Sequence, residues 1–294
     1  MASLPYLGRF APSPTGPLHA GSLIAAVASF LDARAHRGRW LLRIEDIDPP
    51  REVPGAADLI IRQLAAHGLE WDGPVCYQRQ RGAWHRDALA RLAAAGLLYC
   101  CTCSRQRLLT LDGRYDGACR ANHYSRNPPR PEAALRIRVD EGQSGMSSDF
   151  LLNMPFGDPR QSGDFIVRRR DGLIAYQLAV VVDDAAQGIT HVLRGADLFD
   201  STPRQLYLLD RLQLPAPAYG HVPLVLGADG SKLSKQSLAP ALREADAIAN
   251  LHWALCWLGL GPPRELIGLP PTDLLTWGVG QWSRSRIPRH PRQI

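Results

Sequence analysis

The stretch RFAPSPTGPLHAGS, residues 9–22, sets three prolines and two glycines directly ahead of the apolar run LIAAVASFL, residues 23–31. Proline fixes the backbone and glycine frees it, so this stretch turns the chain sharply. The segment before it, YLGRF (6–10), reads as a strand. Residues 20–37 read as a helix, with Leu23, Val27 and Phe30 or Leu31 on one face. A rigid elbow feeding a helix leaves unpaired N–H groups and the positive end of the dipole at the helix mouth. Such a mouth binds phosphate. His19 stands there as a donor to a phosphate oxygen. Gly21, in the first turn, lets a phosphate or a flat ring reach the backbone.

Working outward, RWLLRI (39–44) is a second strand, stopped by EDIDPP. Residues 54–67 predict a helix ended by Gly68, and AWHRDALARLAAAGLLY (83–99) predicts another. Strand, helix, strand, helix implies an α/β fold with a parallel sheet and right-handed crossovers. Residues 100–160 break the rhythm. They are rich in Cys, Pro, Gly, Asn and Ser, carry one strand candidate, ALRIRV (134–139), and read as an insertion. The core is expected to resume with a hairpin turning at Asp171-Gly172, a helix from about Tyr176 and the strand ITHVLRG (189–195). STPRQLYLLDRL (201–212) opens with Ser and Thr caps and Pro203, a good helix start. HVPLVLG (221–227) is the last strand expected, followed by a helix over 239–258.

The 294 residues suit two domains, or one with an insertion. No secretory signal opens the chain and no window holds 18 consecutive apolar residues. A cytoplasmic protein without a membrane partner, and a monomer, is the expectation. The net charge of +6 is concentrated late: QWSRSRIPRHPRQI (281–294) holds Arg284, Arg286, Arg289 and Arg292 and no acid. Without those four, 30 basic residues face 28 acids, so charge alone is a weak sign of a polyanion partner. The tail reads either as a frayed, solvated end or as an arm that grips RNA.

Four of the six cysteines lie within residues 100–119. In a reducing compartment that clustering argues for a metal over disulfides. Cys101, Cys103 and Cys119 have the spacing of a structural zinc site short of one ligand, and Cys100 is a bystander. Spacing nominates His123 or Asp116 as the fourth.

A second phosphate signal lies far along the chain. KLSKQ (232–236), preceded by GADG, sets Lys232 and Lys235 on a flexible loop where mobile charges can close onto a triphosphate. HAGS (19–22) and KLSKQ together resemble the two ATP signatures of class I aminoacyl-tRNA synthetases, written HIGH and KMSKS. RFAPSPTGPLH, RIEDID (43–48) and RGADL (194–198) resemble the glutamyl-tRNA synthetase branch of that class. The likeness covers residues 5–240. Ser22 stands where the signature has a second histidine, and Gln236 where it has a serine.

The resemblance implies a Rossmann-like catalytic core in two halves, 1–99 and 161–240, around a zinc-bearing, acceptor-binding-like insertion, 100–160. A short helical segment, 241–294, follows, with no anticodon-binding domain. It implies ATP with Mg²⁺ held by His19, Gly21, Ser22, Lys232 and Lys235, of which His19 and Lys235 stabilise charge during reaction. It implies glutamate lying against Arg9, Phe10, Ala11, Pro12 and Ser13, with Glu45, Tyr176 and Arg194. The chemistry agrees. An arginine fork such as Arg9 grips a carboxylate, and Glu45 can take the ammonium. For the zinc site the family places a tyrosine ahead of the last cysteine, in YDG, which is Tyr115, with His123 as the alternative.

Only 58 residues follow Gln236, fewer than the roughly 100 that a separate anticodon-binding domain needs for its own core. The chain therefore resembles the short bacterial paralogues of that branch. They transfer glutamate from its adenylate to queuosine at the wobble position of tRNA(Asp), so an anticodon stem-loop is the implied partner. The rival expectations are a core that charges a tRNA 3′ end, a non-catalytic RNA-binding relic and a zinc-braced nucleic-acid module.

Overall fold

A computed structural model describes residues 5–111, 113–122, 124, 132–140, 147–227 and 241–293. In chain order, β1 (Leu7–Phe10) passes through the proline elbow into α1 (Ala20–Ala35), followed by β2 (Arg39–Ile44), α2 (Ala56–Ala66), β3 (Cys76–Tyr77) and α3 (Gly82–Ala94). Next come β4 (Leu98–Cys101), α4 (Arg105–Leu109), β5 (Ala134–Ile137), α5 (Pro159–Ser162) and β6 (Phe165–Arg168). α6 (Tyr176–Ala186), β7 (His191–Gly195), α7 (Thr202–Arg211), β8 (Ala218–Val222) and β9 (Val225–Leu226) return to the first layer. α8 (Ala247–Trp257), α9 (Pro271–Gln281) and β10 (Arg292–Gln293) complete it.

β1 pairs in parallel with β2, β2 with β3, and β7 with β8. β7 lies along the free side of β1, where Thr190 N donates to Leu7 O at 2.9 Å and Leu7 N to Thr190 Oγ1 at 2.8 Å. The resulting order, β3-β2-β1-β7-β8, brings the carboxyl ends of β1, β2 and β7 together. That edge of an open parallel sheet is where ligands bind. α1 packs on the sheet and under α8 and α9, and every residue from Ala26 to Ala33 is buried. A helix apolar on all sides is one that must be covered on all sides.

The described structure moves several boundaries. The helix expected to Tyr99 stops at Ala94, because Gly96 takes a left-handed turn (φ 68°) and Leu98–Cys101 becomes a strand. Apolar Ala/Leu-rich sequence does not separate the two forms. β4, β5 and β6 form an antiparallel sheet, so the irregular region is built on strands from either side of 100–160. Its apolar face joins α3, α6 and α7 in a second core around Leu92, Leu135, Ile137, Phe165, Val181 and Leu208. The strand expected at 221–227 begins at Ala218 and divides at Pro223. The helix expected from 239 begins at Ala247, behind a turn of 3-10 helix, and residues 239 and 240 lie outside the described set. α9, unforeseen, follows it. The hydroxyls expected to cap α7 are diverted: Ser201 Oγ accepts from Gln177 and Thr202 Oγ1 from Arg194.

The arginine-bearing tail is neither frayed nor an RNA arm at Arg284. Asp32 of α1 is fully buried and accepts from Tyr6 Oη (2.6 Å), Trp282 Nε1 (2.8 Å) and Arg284 Nε and Nη2 (2.9 and 2.8 Å). The Arg284 guanidinium also sits 4.1 Å over the Phe150 ring. Phe150 lies so close to β8 that a Cβ on Gly220 would fall 2.5 Å from its ring. Beyond it, β10 pairs in parallel with β9. Among the described residues no helix is long and apolar enough to cross a membrane.

Candidate active site and metal cluster

At the mouth of α1, His19 is the N-cap. Its Nδ1 accepts from Ser22 N, and Ser22 Oγ accepts from His19 N, both at 3.3 Å. Each satisfies an amide that would otherwise lack a partner at the helix start. Ser22 is thus a capping residue that holds the His19 ring. With Nδ1 accepting, the ring proton of the neutral form is on Nε2. A cavity of about 200 Å³ opens here, lined by His19, Gly21, Ser22, Gly195, Asp197 and Val222–Val225. A Cβ on Gly195 would stand 2.5 Å from Asp197 Oδ1, so the Asp197 carboxylate lies against bare backbone there.

The described chain leaves at Gly227, two residues past the pocket residue Val225. It resumes at Ala241, which bridges to His19, while Leu242 N donates to Leu18 O at 2.9 Å. Lys232 and Lys235 lie outside the described residues.

The residues expected to hold glutamate converge at the carboxyl edge of the sheet. Arg9 is in β1, Glu45 follows β2, Tyr176 opens α6 and Arg194 is in β7. The elbow is laced to the segment after β2 by Glu45 N to Pro12 O and Val53 N to Pro14 O, both 3.0 Å, which sets Ala11, Pro12 and Ser13 beside Glu45. Phe10 is buried in the main core. The fork of Arg9, expected to grip substrate, is given to Asp184: Nε to Oδ1 at 3.1 Å and Nη2 to Oδ2 at 3.3 Å. Its Nη1 is left to donate. Arg43, fully buried, bonds Asp184 Oδ1 (2.8 Å), Glu45 Oε1 (3.3 Å) and Gln187 Oε1 (2.6 Å). Two arginines and two carboxylates thus cancel, as buried charge must. Burial pushes the Glu45 carboxyl above its ordinary range, against the pull of Arg43 and Arg9.

Arg194 is held by four hydrogen bonds, which leave one Nη1 proton uncommitted. Its Nε donates to His221 Nε2 (3.1 Å), Nη1 to Tyr176 Oη (3.4 Å) and Nη2 to Thr202 Oγ1 (2.9 Å) and Leu198 O (3.3 Å). His221 in turn meets Asp149 Oδ2 through Nδ1 at 2.5 Å, and both side chains are completely enclosed. Because Nε2 receives the Arg194 proton, the imidazole proton is on Nδ1. Burial lowers the His221 pKa and outweighs Asp149, so the ring stays neutral.

Sequence reasoning missed Arg43, Asp149, Asp184 and His221. One signal was available: VVVDDAA puts two acids in an apolar helix, and buried carboxylates require cations. Asp184 faces Arg9 and Arg43, while Asp183 accepts from Arg81 Nε (2.8 Å) and His85 Nε2 (3.1 Å).

In the insertion, the sulfurs of Cys101, Cys103 and Cys119 lie within 4.8 Å of one another. Tyr115 Oη is 3.5 Å from Cys101 Sγ and 3.3 Å from Cys103 Sγ. Asp116 is instead paired with Arg107, and His123 lies outside the described residues. Cys100, on the opposite face of β4, belongs to the second core. Three converging thiols with a phenol oxygen form a donor set that fits tetrahedral zinc. The packed residues around them are few, Tyr99, Cys101 and Tyr115 at the centre, so the knuckle has little core of its own.

Residues 7–250 match the family model for the catalytic domain of class I tRNA synthetases (E and Q). The chain is 53% identical over 288 residues to the glutamyl-Q tRNA(Asp) synthetase of Ectopseudomonas mendocina (strain ymp), covering 97% of this chain and 95% of that protein. To the enzyme of the same name from Thiobacillus denitrificans it is 52% identical over 291 residues, with 97% and 96% covered. Among solved structures it superimposes on a glutamate tRNA ligase from Elizabethkingia meningosepticum in complex with its amino acid. The TM-score is 0.79 at 21% identity, which establishes a shared fold; 98% of this chain and 66% of that one are covered.

Proposed function

The chain belongs to the class I tRNA synthetases of the E and Q branch, with the glutamyl-Q tRNA(Asp) synthetases, and from that membership we propose that it joins glutamate to the queuosine of tRNA(Asp) at the expense of ATP. The observation that carries the reading is the adjacency of two sites. The group of buried Arg9, Glu45 and Arg194 with half-buried Tyr176 stands next to the His19 pocket, joined to it through Arg194-Gly195 and His221-Val222.

In the first step ATP, with its Mg²⁺, lies at the mouth of α1. His19 Nε2–H and the amides of Ala20 and Gly21 meet the phosphates, and the charge of Lys235 is assigned to the same triphosphate. Glu45 takes the glutamate ammonium, and Arg194 and Arg9 Nη1 take its side-chain carboxylate. The α-carboxylate oxygen is then free to attack the α-phosphorus, and pyrophosphate departs. In the second step a queuosine hydroxyl oxygen attacks the glutamyl carbonyl carbon, its proton passes to solvent, and AMP leaves. No protein nucleophile is required; positioning and fixed charge supply the catalysis. Cys101, Cys103, Cys119 and Tyr115 would hold a structural zinc ion, which supplies cross-links rather than chemistry. Residues 1–99 and 161–240 then act as the catalytic halves, 100–160 as the RNA-facing insertion and 241–294 as a brace. The enzyme works in the cytoplasm, where tRNA is, as a monomer.

The test is glutamate-dependent exchange of labelled pyrophosphate into ATP, followed by transfer of labelled glutamate to total tRNA and identification of the labelled nucleoside. Label on queuosine is the expected result. Label on the terminal adenosine would return the reading to 3′-end charging, and no glutamate-dependent exchange would overturn it.

A further inference from the structure

Between the metal knuckle and the catalytic core lies a second cavity of about 360 Å³, lined among others by Arg114, Tyr115, Arg136, Asp164, Gln177 and Arg204. It opens one residue from Tyr176 of the proposed glutamate site. Its charge is unbalanced. Asp164, the acid in this wall, is already saturated: it accepts from Tyr99 Oη (2.6 Å), Arg120 Nε and Nη2 (2.7 and 2.6 Å) and Val139 N (2.9 Å). Arg136 is 6% exposed, lies 3.9 Å over the Tyr115 ring and donates Nη1 to Asp164 O at 2.8 Å, and its Nε has no hydrogen-bond partner.

Arg204, in α7, is the informative residue. It is half-buried, and no ion pair or hydrogen bond among the described residues engages it; its Nε is enclosed and unpartnered. Burial lowers its pKa and outweighs the pull of Asp200, and the like charge of Arg136 adds a smaller push in the same direction as burial. A guanidinium placed beside another, partly withdrawn from water and left without an acceptor, is costly unless an anion completes it. Its planar fork matches a phosphate.

We propose that this cavity is a phosphate subsite for the RNA substrate, in which Arg204 and Arg114 grip one phosphodiester of the nucleotide strand that carries the acceptor to the glutamyl adenylate. The inference rests on the function proposed above. RNA is favoured over the triphosphate of ATP because the cavity lies between core and knuckle, on the Tyr115 and Gln177 side, with no lining residue in common with the His19 pocket.

The experiment compares the full chain with Arg204→Ala and Arg204→Lys. Binding of tRNA is followed by fluorescence anisotropy across a KCl series, and glutamate-dependent pyrophosphate exchange is measured on the same preparations. Arg204→Ala is expected to weaken tRNA binding about tenfold and to lower the slope of log affinity against log salt by about 0.7–0.9, the loss of one phosphate contact. Exchange should stay within about twofold of the parent, and lysine should restore most of the affinity. Unchanged affinity and slope would overturn the proposal. So would exchange falling in step with binding, which would assign Arg204 to the ATP phosphates or to the fold. Binding that responds as expected in a protein that transfers no glutamate would leave the subsite standing and overturn the function instead.

Discussion

At the scale of single residues, the site is a set of charges held apart from water by one another. Glu45 is expected to show it. Its carboxyl is pushed above the ordinary range by burial, so it takes up a proton as pH falls toward that range, and the protonated form cannot bind an ammonium. The KM for glutamate should therefore rise on the acid side, with a midpoint above that of a free glutamate side chain. Glu45→Gln should raise KM at neutral pH by at least tenfold and abolish this acid limb, while KM for ATP barely moves. A pH series of pyrophosphate exchange checks both. His221 acts through Arg194. His221→Ala leaves the Arg194 Nε and Asp149 Oδ2 without partners in a closed space, and an unsatisfied buried group of that kind costs about 1–3 kcal/mol. KM for glutamate should rise about tenfold or more, and exchange at saturating glutamate should recover most of its rate. An equal loss at all glutamate concentrations would contradict this positioning role. The placement of Arg9, His19 and Arg194 at the ends of their elements was legible because it is local to a signature. Their supports were not. Asp149 and His221 are 72 residues apart, and nothing in either neighbourhood announces the other.

At the scale of elements, the periodic segments were readable and the boundaries between similar residues were not. RWLLRI became β2 without change, since its strand character and its stop at EDIDPP are both encoded locally. The run 83–99 was misread because Ala and Leu serve helix and strand alike, and pairing of β4 with β5, some 35 residues away, decided the outcome. The cysteine knuckle, with the zinc proposed for it, is the extreme case. Its packed centre is too small to offset the entropy of ordering the chain around it. Stripping the metal with a chelator should loosen residues 101–119 and lower the rate of glutamate transfer to tRNA by about tenfold or more, with pyrophosphate exchange largely kept. Hydrogen exchange over Cys101–Cys119, followed with and without zinc, checks the local loosening; transfer and exchange falling together would speak against a purely structural site.

At the scale of the whole molecule, the α/β core was foreseeable from its strand–helix alternation, whereas the role of the last residues was not. An arginine-rich, acid-free end looks solvated in isolation. Only the fold reveals that Asp32, an acid inside a buried helix, waits for it. Burial pushes the Asp32 carboxyl up, but the hydrogen bonds and charge of Arg284 outweigh that and hold it below the usual range. The stabilisation is therefore complete above the ordinary aspartate pKa and is lost as pH falls through the depressed one. Arg284→Ala should cost about 3 kcal/mol at neutral pH, the typical effect of stranding one half of an enclosed pair. Urea titrations at pH 7 and pH 3 measure it: the gap between variant and parent should narrow at the lower pH.

Trp282 and Arg284 reach back some 250 residues to α1, and β10 lies against β9, which follows the strand bordering the His19 cavity. A polypeptide that stops short of Arg284 leaves the Asp32 carboxylate without its countercharge and leaves β9, at the edge of the His19 cavity, without its neighbour β10.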